Sequence, residues 1–207
     1  MRKAGAFFLL LLLVFCMPLL YAQEEEPGDI DPIFGGEIYQ PELYTRGDQV
    51  FSITLGVVFP VIFFNNGVEI KHNFDPPIGG TGSLGYNFFL NSNIFVGGEI
   101  SGIFMSTLGK NTAFFIPIGI KAGYQFIFWR FEIPLSLTVG VIWHRYLDMG
   151  YFGMYMKAGG SVFYRFNADW SFGINANWCW FPEWTNEPEK NVDGHLAEVT
   201  LTVRYHF

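Results

Sequence analysis

From residue 49 onward, hydrophobic and polar positions alternate with a period of two. Phe51, Ile53, Leu55, Val57 and Phe59 alternate with Ser52, Thr54, Gly56 and Val58. Ile94, Val96, Gly98, Ile100 and Gly102 alternate with Phe95, Gly97, Glu99 and Ser101. Ile116, Ile118, Ile120, Ala122, Tyr124 and Phe126 alternate with Pro117, Gly119, Lys121, Gly123 and Gln125. Phe131 to Trp143 keeps its odd positions apolar against Glu132, Pro134, Ser136, Thr138 and Gly140. The same pattern recurs at about 80–90, 152–166, 169–180 and 195–207. Successive side chains of a β-strand point to opposite faces, so the pattern predicts eight strands, each with one apolar face.

Alternation alone would fit a soluble sandwich with one wet face. Three features favour a closed barrel whose apolar face meets lipid. The apolar parity carries almost no charge, His195 at the tip of the last strand being the one titratable side chain placed on it. A charge facing lipid at mid-depth costs about 2–4 kcal/mol, so that exclusion is expected. Connections alternate in length: tight near 91–93, 129–130 and 167–169, longer at 62–78, 106–112, 146–151 and 182–194. Short turns at one end and long loops at the other are the layout of outer-membrane barrels. Aromatic residues also collect at strand ends. Phe88, Phe128, Trp129, Phe131, Tyr164, Phe166, Trp170, Tyr205 and Phe207 are expected to ring the short-turn end. Trp143, Tyr151, Trp178, Trp180, Phe181 and Trp184 are expected to ring the long-loop end. Amphipathic rings favour membrane interfaces.

Composition agrees. Charged residues make up 15% of the 207, against about 25% in soluble domains. The formal charge of −7 disfavours nucleic acid, whose phosphates need a basic face. Residues 1–22 read as a signal peptide: Arg2 and Lys3, then an apolar run, then a small residue at Ala22. Its removal takes away two positive charges, from −7 to −9, and also Cys16, leaving Cys179 without a partner for a disulfide. Residues 23–48 are acidic, with Glu24, Glu25 and Glu26 in a row and prolines at 27, 32 and 41. They are expected to form a flexible periplasmic leader, followed by the barrel at 49–207.

The last strand runs Val199, Leu201, Val203, Tyr205, Phe207. Tyr205 and the final Phe207 resemble the terminal signature by which outer-membrane barrels are handed to their assembly machinery. Hairpins such as SLGYNFFLNSNIFVGGEI at residues 83–100 resemble those of small eight-stranded outer-membrane barrels, among them the OmpA transmembrane domain, OmpX and OmpW. The resemblance covers residues 49–207. It implies an all-β, eight-stranded antiparallel up-and-down transmembrane barrel in the cell outer membrane, with membrane lipid and the assembly machinery as partners.

The inward parity carries Glu99, Lys121, Glu132, His144, Lys157, Arg165, Glu198, Arg204 and His206. Distance from the turns matches Glu99 with Lys121 and Glu132 with Arg165 on neighbouring strands. Eight strands enclose little more than side chains, so the first reading is a salt-bridged, largely occluded lumen in a structural or surface-interaction protein. The loops at 62–78 and 182–194 would meet an extracellular ligand. The alternative is a minor channel for small or apolar solutes. Pro60 and Pro117, inward near the long-loop rim, would each remove a ladder hydrogen bond. The resemblance to OmpW implies a wall that opens sideways there. Inward glycines such as Gly123 and Gly173 would widen a pore or make room for Phe163 and Tyr155.

Catalysis finds little support. His72, His144 and His195 reach toward the long-loop rim, but none has a serine two residues on, as a barrel deacylase would. Cys179 reads as a small buried residue. The four histidines lie far apart, so no metal and no cofactor is expected.

Overall fold

The computed structural model describes residues 44–107, 111–146, 149–183 and 191–207. The expected signal segment, and the leader as far as residue 43, lie outside them. The strands are β1 (Gln49–Asn65), β2 (Val68–Ile70), β3 (Phe74–Phe89), β4 (Ile94–Thr107), β5 (Thr112–Phe128), β6 (Phe131–Tyr146), β7 (Met149–Arg165), β8 (Trp170–Glu183) and β9 (Val192–His206). Each of the eight long strands pairs antiparallel with its neighbour in the sequence. β9 then returns to β1, from Val50↔His206 to Asn65↔Val192, and closes the ring. The protein is an eight-stranded up-and-down barrel with β2 as a small addition.

Alternation sets the wall. Leu55, Ile120 and Leu201 point outward and are 68%, 74% and 66% exposed, whereas Ser52, Thr138 and Thr202 point inward and are buried. So much exposed apolar surface would be a liability in water; against hydrocarbon it is the required outer face. At the short-turn end Phe128, Trp129, Phe131, Phe166, Trp170 and Phe207 are exposed, as a membrane-interface ring requires. At the other end Trp143 and Trp178 face outward, but Phe181 does not. It is buried in the lumen at 3% exposure, on the same parity as Cys179.

The long-loop end departs further from the expected outline. β1 runs on to Asn65 and turns back into β2 through Asn66 and Gly67, both with positive φ. Two such residues make the hairpin turn whose twist matches its strands. Much of the expected 62–78 loop is therefore strand.

Prolines interrupt three ladders. At Pro117 the β4–β5 pairing lapses between Ile100↔Ile118 and Ile103↔Phe115, with the register unchanged. At Pro134 the β6–β7 pairing lapses between Glu132↔Phe163 and Leu135↔Gly160. Beside Pro60 the β1–β9 register shifts by one residue, which bulges Val61 outward. Two seams are longer. β1 and β3 pair only as far as Val58↔Gly79, and β7 and β8 only as far as Met156↔Trp180. Above the first, β1 pairs instead with β2, from Phe63↔Ile70 to Asn65↔Val68; above the second, β8 keeps its ladder to β9.

Candidate functional site

The lumen has three tiers, each built by the inward parity of a different stretch of wall. The tier at the short-turn end is polar around an aromatic plug. Tyr44, five residues before β1, turns into the mouth and is 2% exposed. Its ring stacks on Phe89, and Val50 and Phe95 complete the cluster. The Tyr44 hydroxyl donates to the Glu132 carboxylate, 2.9 Å from Oε2, and lies 2.9 Å from His206 Nδ1. Burial, and then the Glu132 charge, push the Tyr44 phenol above its usual range, so it remains a donor. Glu132 also receives Arg165 Nη1 at 3.3 Å and Arg204 Nη1 at 3.4 Å. Arg204 lies over the Phe163 ring, 3.4 Å from its centroid.

The middle tier is ionic. Glu99 accepts from Lys121 at 3.1 Å and from Lys157, and Lys157 lies 3.6 Å from Glu198. One carboxylate is thus shared by two ammonium groups, and one ammonium by two carboxylates. Hydroxyls fill the facing wall: Thr54 Oγ1 is 2.6 Å from Thr202 Oγ1, and Asn175 Nδ2 donates to Thr200 and Thr202 at 2.7 Å. Between these groups a cavity of about 20 Å³ remains, room for about one water molecule.

The tier toward the long loops is apolar. Val58, Phe63, Ile103, Met105, Phe115, Ile142, Tyr155, Cys179, Phe181 and Leu196 pack together inside the wall. Above them His144 Nε2 reaches Glu183 at 3.2 Å, from β6 across to β8. His195 lies on the outer face and accepts from Trp178 Nε1 at 3.0 Å.

Every lumen charge read from the sequence therefore falls inside the barrel. Glu99 and Lys121 are in contact, as are Glu132 and Arg165. The sequence did not indicate that Lys157 joins Glu99, that Arg204 joins Glu132, or that Tyr44 enters at all. Pro117 lies in the β4–β5 wall beside the apolar tier, and Pro60 borders the β1–β3 seam. Tyr205 faces outward between Trp170 and Phe207, its ring tilted against both. The glycines make room for rings. A Cβ on Gly123 would lie 2.3 Å from Phe95, and one on Gly173 would lie 2.5 Å from Phe163.

A protein-family model matches residues 7–205. The chain belongs to that family. Neisserial surface protein A superposes with a TM-score of 0.52 at 10% identity, over 78% of this chain and 97% of that one. The fold is that of the small eight-stranded outer-membrane β-barrels. An uncharacterized protein of Treponema pallidum is 34% identical over 129 residues, covering 62% of this chain and 59% of the relative. The chain thus matches less than two thirds of that relative's length. An uncharacterized protein of Borreliella burgdorferi is 24% identical over 179 residues, covering 75% of this chain and 82% of the relative.

Proposed function

We propose that the chain is secreted across the inner membrane and resides in the outer membrane as a closed-lumen barrel. It would act there as a structural or surface-interaction protein, without enzymatic activity, through the loops at its long-loop end. The observation that carries this reading is the filling of the lumen. An aromatic plug lies at one end and an apolar cluster at the other, and the ionic tier between them leaves only about 20 Å³. Buried charges in contact with each other resist separation, because parting them exposes each to a poorly solvating interior. The test is conductance of the refolded protein in a planar bilayer. Negligible single-channel conductance is expected, and steady conductance would overturn the reading.

A second reading has its own observation. On the edge of β1 that faces β3, the ladder stops at Val58↔Gly79 and is resumed by β2 at Phe63↔Ile70, so among the described residues 59–62 are unpaired there, next to Phe63 of the apolar tier. A minor channel for apolar solutes would release them sideways there, past Pro60. Uptake of a fluorescent fatty acid into liposomes carrying the barrel, without accompanying ion conductance, would favour it.

A further inference from the structure

Tyr44 enters the short-turn mouth by its side chain, on a turn in which the Thr45 amide donates to the Asp48 carboxylate at 2.7 Å. Its ring lies between two groups. Phe89 stacks on one face, and the Arg165 guanidinium, 5.0 Å from the centroid, covers the other. His206 flanks the ring, tilted, with centroids 5.7 Å apart. The hydroxyl is read in both directions. It donates to Glu132 at 2.9 Å, so its oxygen is left to accept from His206 Nδ1, also at 2.9 Å. A neutral imidazole donates from one nitrogen and accepts at the other. His206 Nε2 therefore accepts from the Ser171 hydroxyl at 2.9 Å. These groups come from β3, β6, β7, β8 and β9. Phe89 and His206 stand on the two neighbours of β1, so the site is complete only when β9 has paired with β1.

We propose that the short-turn mouth is a binding site for a neutral phenol, assembled by ring closure and filled by the chain's own Tyr44. A small free phenol takes the same place once the Tyr44 side chain is removed. Selectivity follows from the contacts. The slot between Phe89 and Arg165 takes a flat ring edge-on. The far end requires a group that donates to Glu132 and accepts from His206 at once. An arene without a hydroxyl does neither, and an aryl ether cannot donate. A phenolate would meet the Glu132 charge. The substituent opposite the hydroxyl points out of the mouth, since that is where Tyr44 is tethered. A ligand held only by the closed ring stabilises it by mass action, so an occupied site holds β9 against β1 and seals the polar tier from the short-turn end.

The test uses the refolded mature barrel in detergent, as wild type and with Tyr44→Gly. Thermal unfolding midpoints are followed against p-cresol, toluene and p-methylanisole, and the wild type reports what each solute does to the micelle. We expect p-cresol to raise the Tyr44→Gly midpoint and to leave the wild type where it is. Toluene should need at least about tenfold more solute for the same rise, as loss of one hydrogen bond to a charged group implies. The ether, which cannot donate, should do no better than toluene. Tyr44→Phe fills the slot with a ring of its own and should not respond to p-cresol. If Tyr44→Gly does not fold unaided, the yield of heat-modifiable folded barrel replaces the midpoint, with the same order of solutes expected. Equal responses to p-cresol and toluene would overturn the proposal, reducing the mouth to an apolar hole. So would a p-cresol effect of the same size in the wild type or Tyr44→Phe, which would place the phenol on the outer wall, or no effect in any variant.

Discussion

The phenol ring of Tyr44 stacks on Phe89, with ring centroids 3.8 Å apart and planes 7° from parallel. This contact and the hydrogen bond to Glu132 tie the segment before β1 into the barrel mouth. Tyr44→Ala removes both and leaves a hole between Phe89 and Arg165. A loss of about 3–5 kcal/mol is expected, the range for a buried aromatic truncated to alanine. Tyr44→Phe keeps the stack and loses the hydrogen bond, for about 1–3 kcal/mol. Equilibrium urea unfolding in lipid vesicles measures both, and a neutral Tyr44→Ala would mean that the plug does not hold in the membrane.

The two lumen lysines should respond unequally. Lys157 touches Glu99 and Glu198, so Lys157→Met leaves Glu198 without its cation and Glu99 with half of its own. A loss of about 3–5 kcal/mol follows, as for one partner of a buried pair. Lys121→Met leaves Glu99 still held by Lys157, so the loss should be much smaller. The pairing of Glu99 with Lys121 inferred from the turns would have made Lys121 the critical residue; the third group in the cluster shifts that role to Lys157. Similar unfolding free energies for the two variants would contradict the shared geometry.

On the outer wall, Ile120→Arg should destabilise the barrel by about 2–4 kcal/mol in a lipid bilayer, because the guanidinium meets hydrocarbon near mid-depth. Ile120→Val should stay within about 1.5 kcal/mol. The contrast is best drawn at one position. Thr138 on the inner face is 2% exposed and pairs with Lys157 in the β6–β7 register, so an arginine there would also do harm.

Two glycines separate close packing from open wall. Gly123→Ala drives a Cβ into Phe95 and to 2.6 Å from the Leu135 carbonyl oxygen, and overpacking of that kind costs about 1–3 kcal/mol. Nothing lies within 4 Å of a Cβ built on Gly102. Gly102→Ala should be neutral or stabilising by about 0.5–1 kcal/mol, since glycine within a strand carries excess chain entropy. Thermal gel-shift midpoints of the two variants give the order directly.

The parity of the wall was legible because lipid accepts so few polar residues. That one exclusion placed Leu137 and Ile120 outside and Thr138 and Lys121 inside without any three-dimensional information. It lost force where both faces are apolar. Ile103, Met105, Phe115 and Ile142 continue the inward parity into the long-loop end, yet alternation says nothing where it ceases, and Phe181, expected at the rim, lies in the lumen. Asn66–Gly67 is a hairpin signal inside the stretch expected as a loop. Tyr44 had no signal of its own, since it stands in an acidic stretch with no period. Sharing of Glu99 and Glu132 depends on reach across the lumen, which spacing along neighbouring strands does not report.

The two unpaired seams have a mechanical consequence. A barrel resists radial load as a hoop does, through an unbroken ring of transverse bonds. Here the hoop is complete only up to Val58↔Gly79 on one side and Met156↔Trp180 on the other. Above that level β2 covers the edge of β1 from Phe63 to Asn65, whereas the β7–β8 line has no ladder among the described residues and is spanned by the His144–Glu183 contact. Load at the rim would part the wall first along the β7–β8 line, leaving the ring beneath in tension but whole. Amide hydrogen exchange should be fastest along the edges that face that line.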